Sequence, residues 1–127
     1  MAHRIFLVED HEWVREMQTR MLALQPGLEV CGAASDAASA MAALPAGADI
    51  VLIDLGLVDS SGFDLLRDIR ARWPNLPCVV LSGKPAVEYA AAAHDAGAAG
   101  YVEKGDAPGL LATIYDLLGP APDRHEA

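Results

Sequence analysis

Five short apolar runs, each closing on a polar or glycine residue, alternate with five stretches of helical period, and this alternation constrains the fold more than anything else in the chain. The runs lie at residues 5–8, 28–32, 50–53, 78–81 and 99–103. Runs this short and apolar throughout suit strands buried on both faces. Between the first two, Val14, Met17, Met21 and Leu24 recur at helical spacing over residues 12–24, and Pro26-Gly27 stops them. Asp36 is placed to cap an Ala-rich helix reaching Leu44, before Pro45 and Gly47. Phe63, Leu66, Ile69, Arg70 and Trp73 mark a third helix, broken by Pro74-Asn75. Pro85 suits the first turn of a fourth, which ends before Gly97. Pro108 opens the fifth, with Leu110, Leu111, Ile114, Leu117 and Leu118 on its stripe and Gly119-Pro120 after it.

Five strand–helix units with right-handed crossovers predict an α/β fold. The expected form is a doubly wound, five-stranded parallel sheet in the order 2-1-3-4-5, flavodoxin-like. A chain of 127 residues supports one such domain, assigned to residues 1–119, with a polar tail at 120–127. A formal charge of −9 opposes nucleic-acid binding through this domain, because phosphate neutralisation needs clustered Lys and Arg. It also opposes binding to an anionic membrane surface. No apolar stretch approaches the length of a membrane span and no signal peptide is legible, so a cytoplasmic location is expected. Cys31 and Cys78 form no metal-binding pattern and read as buried thiols of a reducing compartment.

In sheets of this type the functional crevice lies beyond the carboxyl ends of the strands, at the switch point between strands 1 and 3. Glu9 and Asp10 end the first strand and Asp54 ends the third. Three carboxylates held close repel one another, and a hard divalent cation removes that repulsion. Mg²⁺, or Mn²⁺ in its place, suits a few carboxylates, a carbonyl and waters. The fourth strand delivers Ser82-Gly83 to the same edge, a hydroxyl followed by an unobstructed backbone N–H for a phosphoryl oxygen. The fifth delivers Lys104, an ion-pair partner for the carboxylates that becomes a phosphate partner when a phosphoryl group arrives.

These residues resemble the receiver domain of bacterial two-component response regulators. The resemblance rests on IFLVEDH from residue 5, IDLGLVDSSG from 53, VLSG from 80 and GAAGYVEK from 97, in order and each at the end of its strand. It is most similar to the subfamily that usually carries a C-terminal helix-turn-helix. The resemblance implies that Asp54 is the phosphoacceptor. Glu9, Asp10, Asp54 and the backbone carbonyl of Gly56 would hold Mg²⁺, and Ser82, Gly83 and Lys104 would contact the phosphoryl group. Ser82 and Tyr101 would be the switch pair, turning toward the phosphoryl group and remodelling the face formed by the fourth helix, fifth strand and fifth helix. The implied donor is a sensor histidine kinase, a phosphotransfer protein or a small phosphodonor, and the domain is not a turnover enzyme.

Three positions depart from the family pattern: Glu9, where Asp is common at the end of strand 1, Val58 and Gly105. Val58 stands where Pro is usual, and Gly105 follows Lys104 where Pro is common, so a cis peptide is not expected there. Gly56 offers no side chain to orient a hydrolytic water, which predicts a moderately long-lived phosphorylated state. An FMN binder would need a hydroxyl-rich loop after strand 1, and a haloacid-dehalogenase-type phosphatase a second Asp at position 56; neither is present, nor is a P-loop. The runner-up is a phosphate-independent docking or dimerisation module of receiver type. Trp13, beside the acidic pocket, is either a hot spot for a kinase's helical domain or a side chain folded back over the crevice rim. The Ala-rich fourth helix makes homodimerisation through the helix 4 to helix 5 face an expectation.

Overall fold

The structure, a computed structural model, describes residues 2–57 and 61–120. Val58 and the tail beyond residue 120 lie outside the described residues. The strands are β1 (His3–Val8), β2 (Leu28–Ala34), β3 (Ile50–Ile53), β4 (Cys78–Ser82) and β5 (Gly100–Glu103). The helices are α1 (Glu12–Ala23), α2 (Ala37–Ala43), α3 (Gly62–Arg72), α4 (Ala86–Ala96) and α5 (Ala107–Leu118). All strand pairs are parallel and the order is β2-β1-β3-β4-β5, as the alternation predicts. Among the described residues no helix is long and apolar enough to cross a membrane.

Period-two alternation divides the core into two layers. Ile5, Leu7, Ile50, Leu52, Val79, Leu81 and Val102 face α1 and α5, where Leu22, Leu110 and Ile114 meet them. Phe6, Val8, Val51, Ile53, Cys78 and Val80 face the other side, where Ala40, Leu65, Leu66, Ile69, Ala93 and Ala96 close the layer. Both faces are covered, which is why the strands carry no polar alternation. Burial pushes the Cys78 thiol up to about 12, and the nearby Arg70 only partly opposes it; this sulfur is packing rather than chemistry.

Some local expectations shift. β2 runs to Ala34, two residues beyond the apolar signal, because Val8 pairs with Ala34. The register slips at Cys31, which leaves that half-buried thiol donating to the Ile5 carbonyl at 3.4 Å. The apolar stripe of α1 is not its main buried face. Leu22 is fully buried, whereas Met17 is half exposed and Leu24 is 83% exposed. Leu24 has left the helix as its C-cap, and Met17 turns toward a groove beside α5. Among the described residues the single cis peptide is Leu44-Pro45, so Lys104-Gly105 is trans, and Gly105 takes a φ of +94° that suits glycine.

Candidate functional site

Register builds the site. Val8 lies beside Ile53, and the Asp54 amide donates to the Val8 carbonyl at 3.0 Å. One residue past this pair the chain carries Glu9 and Asp10 on one strand end and Asp54 on the next. Ligand oxygens of all three lie within 4.8 Å of one another. Ser82 pairs with Glu103, and the Lys104 amide donates to the Ser82 carbonyl at 2.7 Å, bringing the lysine over the same edge.

Lys104 Nζ sits 2.8 Å from Glu9 Oε1 and 3.5 Å from Asp54 Oδ1. The other Glu9 oxygen accepts from the His11 amide at 3.1 Å, and the Glu9 carbonyl accepts from Arg15 at 2.8 Å. Glu9 is only 1% exposed, so burial pushes its carboxyl up; hydrogen bonds from Lys104 and His11 oppose this, and the charge of Asp54 adds to it. Burial alone would lower the Lys104 ammonium. Its hydrogen bond to Glu9 and the charges of Asp54 and Glu9 outweigh that, and the net direction is upward. Three carboxylates against one ammonium leave the pocket short of positive charge. That donor set, three carboxylates of which Glu9 is buried and Asp10 and Asp54 are half-buried, fits a small hard divalent cation.

The loop after β4 is held by hydrogen bonds. Ser82, 1% exposed, accepts at Oγ from the Lys84 amide at 3.1 Å, and the half-buried Tyr101 donates its hydroxyl to the Lys84 carbonyl at 2.7 Å. The structure thus brings together Glu9, Asp10, Asp54, Lys104 and Ser82, with Gly83 following Ser82, and sets Tyr101 behind that loop. Gly56 is exposed, and a Cβ built there meets nothing within 4 Å, so its backbone borders open space. Two features were not legible from motif spacing: Arg15 on the Glu9 carbonyl, and Glu103 on the amide of Ala86 at 2.7 Å. Strand alternation from Tyr101 is the signal that places Glu103 on that face.

Gly62 is a hidden member of the site. A Cβ there would lie 2.6 Å from both the Asp54 carbonyl oxygen and Leu55 Cα. Gly62→Ala must therefore displace the Asp54 backbone. A urea titration is expected to show stability falling by about 1–3 kcal/mol, the cost of overpacking a rigid backbone contact. An unchanged midpoint would show that the loop yields freely.

A doubly wound sheet with a carboxylate triad at its switch point, and a lysine and a hydroxyl at the ends of the next strands, defines the receiver class of signalling domains. The chain belongs to the response regulator receiver domain family, whose sequence model matches residues 5–115. It is 41% identical over 102 residues to the DNA-binding transcriptional activator DevR/DosR of Mycobacterium tuberculosis, covering 80% of this chain and 47% of that one. It is 34% identical over 109 residues to the nitrate/nitrite response regulator NarP of Escherichia coli, covering 85% and 51%. The chain therefore spans about half the length of these curated relatives. Among solved structures, a LuxR-family two-component response regulator from Aurantimonas superposes with a TM-score of 0.84 at 32% identity, covering 97% of this chain and 92% of that one. A CheY-like receiver domain protein from Methanospirillum hungatei gives 0.82 at 26% identity, covering 93% and 94%.

Proposed function

We propose that the chain accepts a phosphoryl group on Asp54 from a phosphohistidine of a sensor kinase or phosphotransfer protein, or from a small acyl phosphate. The observation that carries this is the convergence of Asp54, Glu9, Asp10 and Lys104 at one strand edge, with the carbonyl of Ser82 at the end of β4 accepting from the Lys104 amide. In the transfer an Asp54 carboxylate oxygen attacks phosphorus as the P–N bond to the donor imidazole breaks. The electron pair stays on nitrogen, which takes up a proton. Glu9, Asp10, Asp54 and the Gly56 carbonyl would hold Mg²⁺ or Mn²⁺, which when bound neutralises negative charge at the phosphoryl oxygens. Lys104 supplies a cation from the other side, and Ser82 with the Gly83 amide offers hydrogen-bond donors. The residues do positioning and charge neutralisation and little covalent work. Phosphorylation then biases a pre-existing equilibrium at the α4–β5–α5 face, where Val87 is 93% exposed, toward a partner-binding form; a second copy is one such partner. The domain signals and does not turn over a substrate. This is favoured over a phosphate-independent docking module, because every acceptor position is filled. Intact mass after incubation with a small acyl phosphate and Mg²⁺ tests it.

Trp13 belongs to donor docking in this reading. It is 63% exposed, so it is not folded down over the acidic crevice. It stands on an apolar groove of about 310 Å³ between α1 and the start of α5, and Lys104 forms part of that groove's wall. A helix seated there would lie next to the acceptor. Trp13→Ala is expected to slow transfer from a phosphorylated kinase by on the order of 30-fold, the size of a truncated aromatic hot spot. Labelling by a small acyl phosphate should stay unchanged. Equal loss with both donors would place Trp13 in the acceptor pocket's support instead.

A further inference from the structure

We infer that Glu103 is a positioning residue of the switch, tying the first turn of α4 to β5 and holding the β4–α4 loop in its resting arrangement; this rests on the receiver reading above. Among the described residues, four of the five helices cap themselves. His11, Asp36, Ser61 and Asp106 each accept a backbone N–H of the helix they precede. At α4 the N-cap is Pro85, which makes no side-chain cap bond. The Ala86 amide, one of the donors a helix start leaves orphaned, is taken instead by Glu103 Oε2 at 2.7 Å, from β5. A carboxylate there also complements the positive end of the helix dipole.

That bond has company. Tyr101 and Glu103 are two apart on β5 and face the α4 side, while Val102 is buried in the opposite layer. Tyr101 takes the Lys84 carbonyl and Glu103 takes the Ala86 amide, each at 2.7 Å. From the other side, Ser82 Oγ takes the Lys84 amide at 3.1 Å. Three side chains thus hold residues 84–86, and Lys104, next to Glu103, holds Glu9 and Asp54. When Ser82 turns to a phosphoryl oxygen, the Lys84 amide loses its acceptor and the loop must move. It moves only as far as its ties to β5 allow. Glu103 therefore opposes the switched form, and its removal eases switching.

The test is a titration of the full chain with beryllofluoride, a non-covalent mimic of a phosphoryl group, at saturating Mg²⁺. Parent, Glu103→Ala and Glu103→Gln are compared. The alanine variant is expected to reach half-saturation at about three- to tenfold lower beryllofluoride, the scale of one partly exposed charge-assisted hydrogen bond. The glutamine variant keeps an acceptor for Ala86 and is expected within about twofold of parent. Amide exchange at Ala86 should rise in the alanine variant only, with the Asp106-capped Gly109 amide unmoved. General loosening of the fold would weaken binding, the opposite direction. Unchanged or weaker binding by Glu103→Ala, with the parent binding normally, overturns the inference. No binding by the parent overturns the proposed phosphoacceptor role of Asp54, and the inference with it.

Discussion

Incubated with a small acyl phosphate and Mg²⁺, the parent chain is expected to gain one phosphoryl group, and the Asp54→Ala variant none. The loss should be complete, because the other two carboxylates are poorly placed to replace it. Glu9 is buried, with one oxygen on Lys104 and the other on the His11 amide. Asp10 belongs to the cluster, yet the lysine that would face an incoming phosphoryl group lies toward Glu9 and Asp54. Chelation should abolish the gain in the parent, since three clustered carboxylates repel a phosphoryl donor unless their charge is offset. The variant must be shown folded, and one of the three mutually repelling charges has been removed from it, so its urea midpoint is expected to hold or rise. A mass gain in Asp54→Ala equal to parent would move the acceptor elsewhere. No gain in either chain would leave the docking module as the better reading.

Much of this was legible in the sequence because parallel sheets write their edges plainly. A strand buried on both faces is an unbroken apolar run, so its end is marked by the first polar residue, and Glu9, Asp54 and Ser82 are those residues. The strand order then follows from handedness and crossover length. What spacing did not show is which partner each side chain takes. Lys104 was expected to face three carboxylates; its nearest is Glu9, since the buried carboxylate has the fewest alternatives to a protein partner. In α1 the spacing marks the helix but not its buried face. A stripe of Val14, Met17, Met21 and Leu24 satisfies helical period, but helical period does not say whether a stripe meets the core or a groove. Leu22 anchors α1, while Trp13 and Met17 remain accessible. Glu103 has no role in the family motif, and only its place two residues beyond Tyr101 sets it on the α4 side.

Lys104→Met should separate the two tasks assigned to the pocket, because it moves them in opposite directions. With the lysine present, three carboxylates and one ammonium face the proposed cation site; without it the site is more negative by one charge. Mg²⁺ is therefore expected to bind roughly tenfold more tightly to the variant, the effect of one freed charge-assisted contact. Transfer to Asp54 should nonetheless fall by on the order of 100-fold or more, as when one preorganised donor to a developing anion is removed. Stability without Mg²⁺ should also fall, by about 1–3 kcal/mol, because Glu9 keeps its burial and loses its nearest cation. Methionine preserves most of the side-chain volume, so packing contributes little to that loss. Saturating Mg²⁺ should restore much of the stability but not the transfer rate, and this is the decisive comparison. If the rate recovers together with stability, Lys104 acts only by holding Glu9 in place. If it stays low in a stably folded, Mg²⁺-loaded variant, the ammonium itself acts on the phosphoryl group. The second outcome is expected, since Lys104 Nζ lies only 3.5 Å from Oδ1 of Asp54, the proposed acceptor.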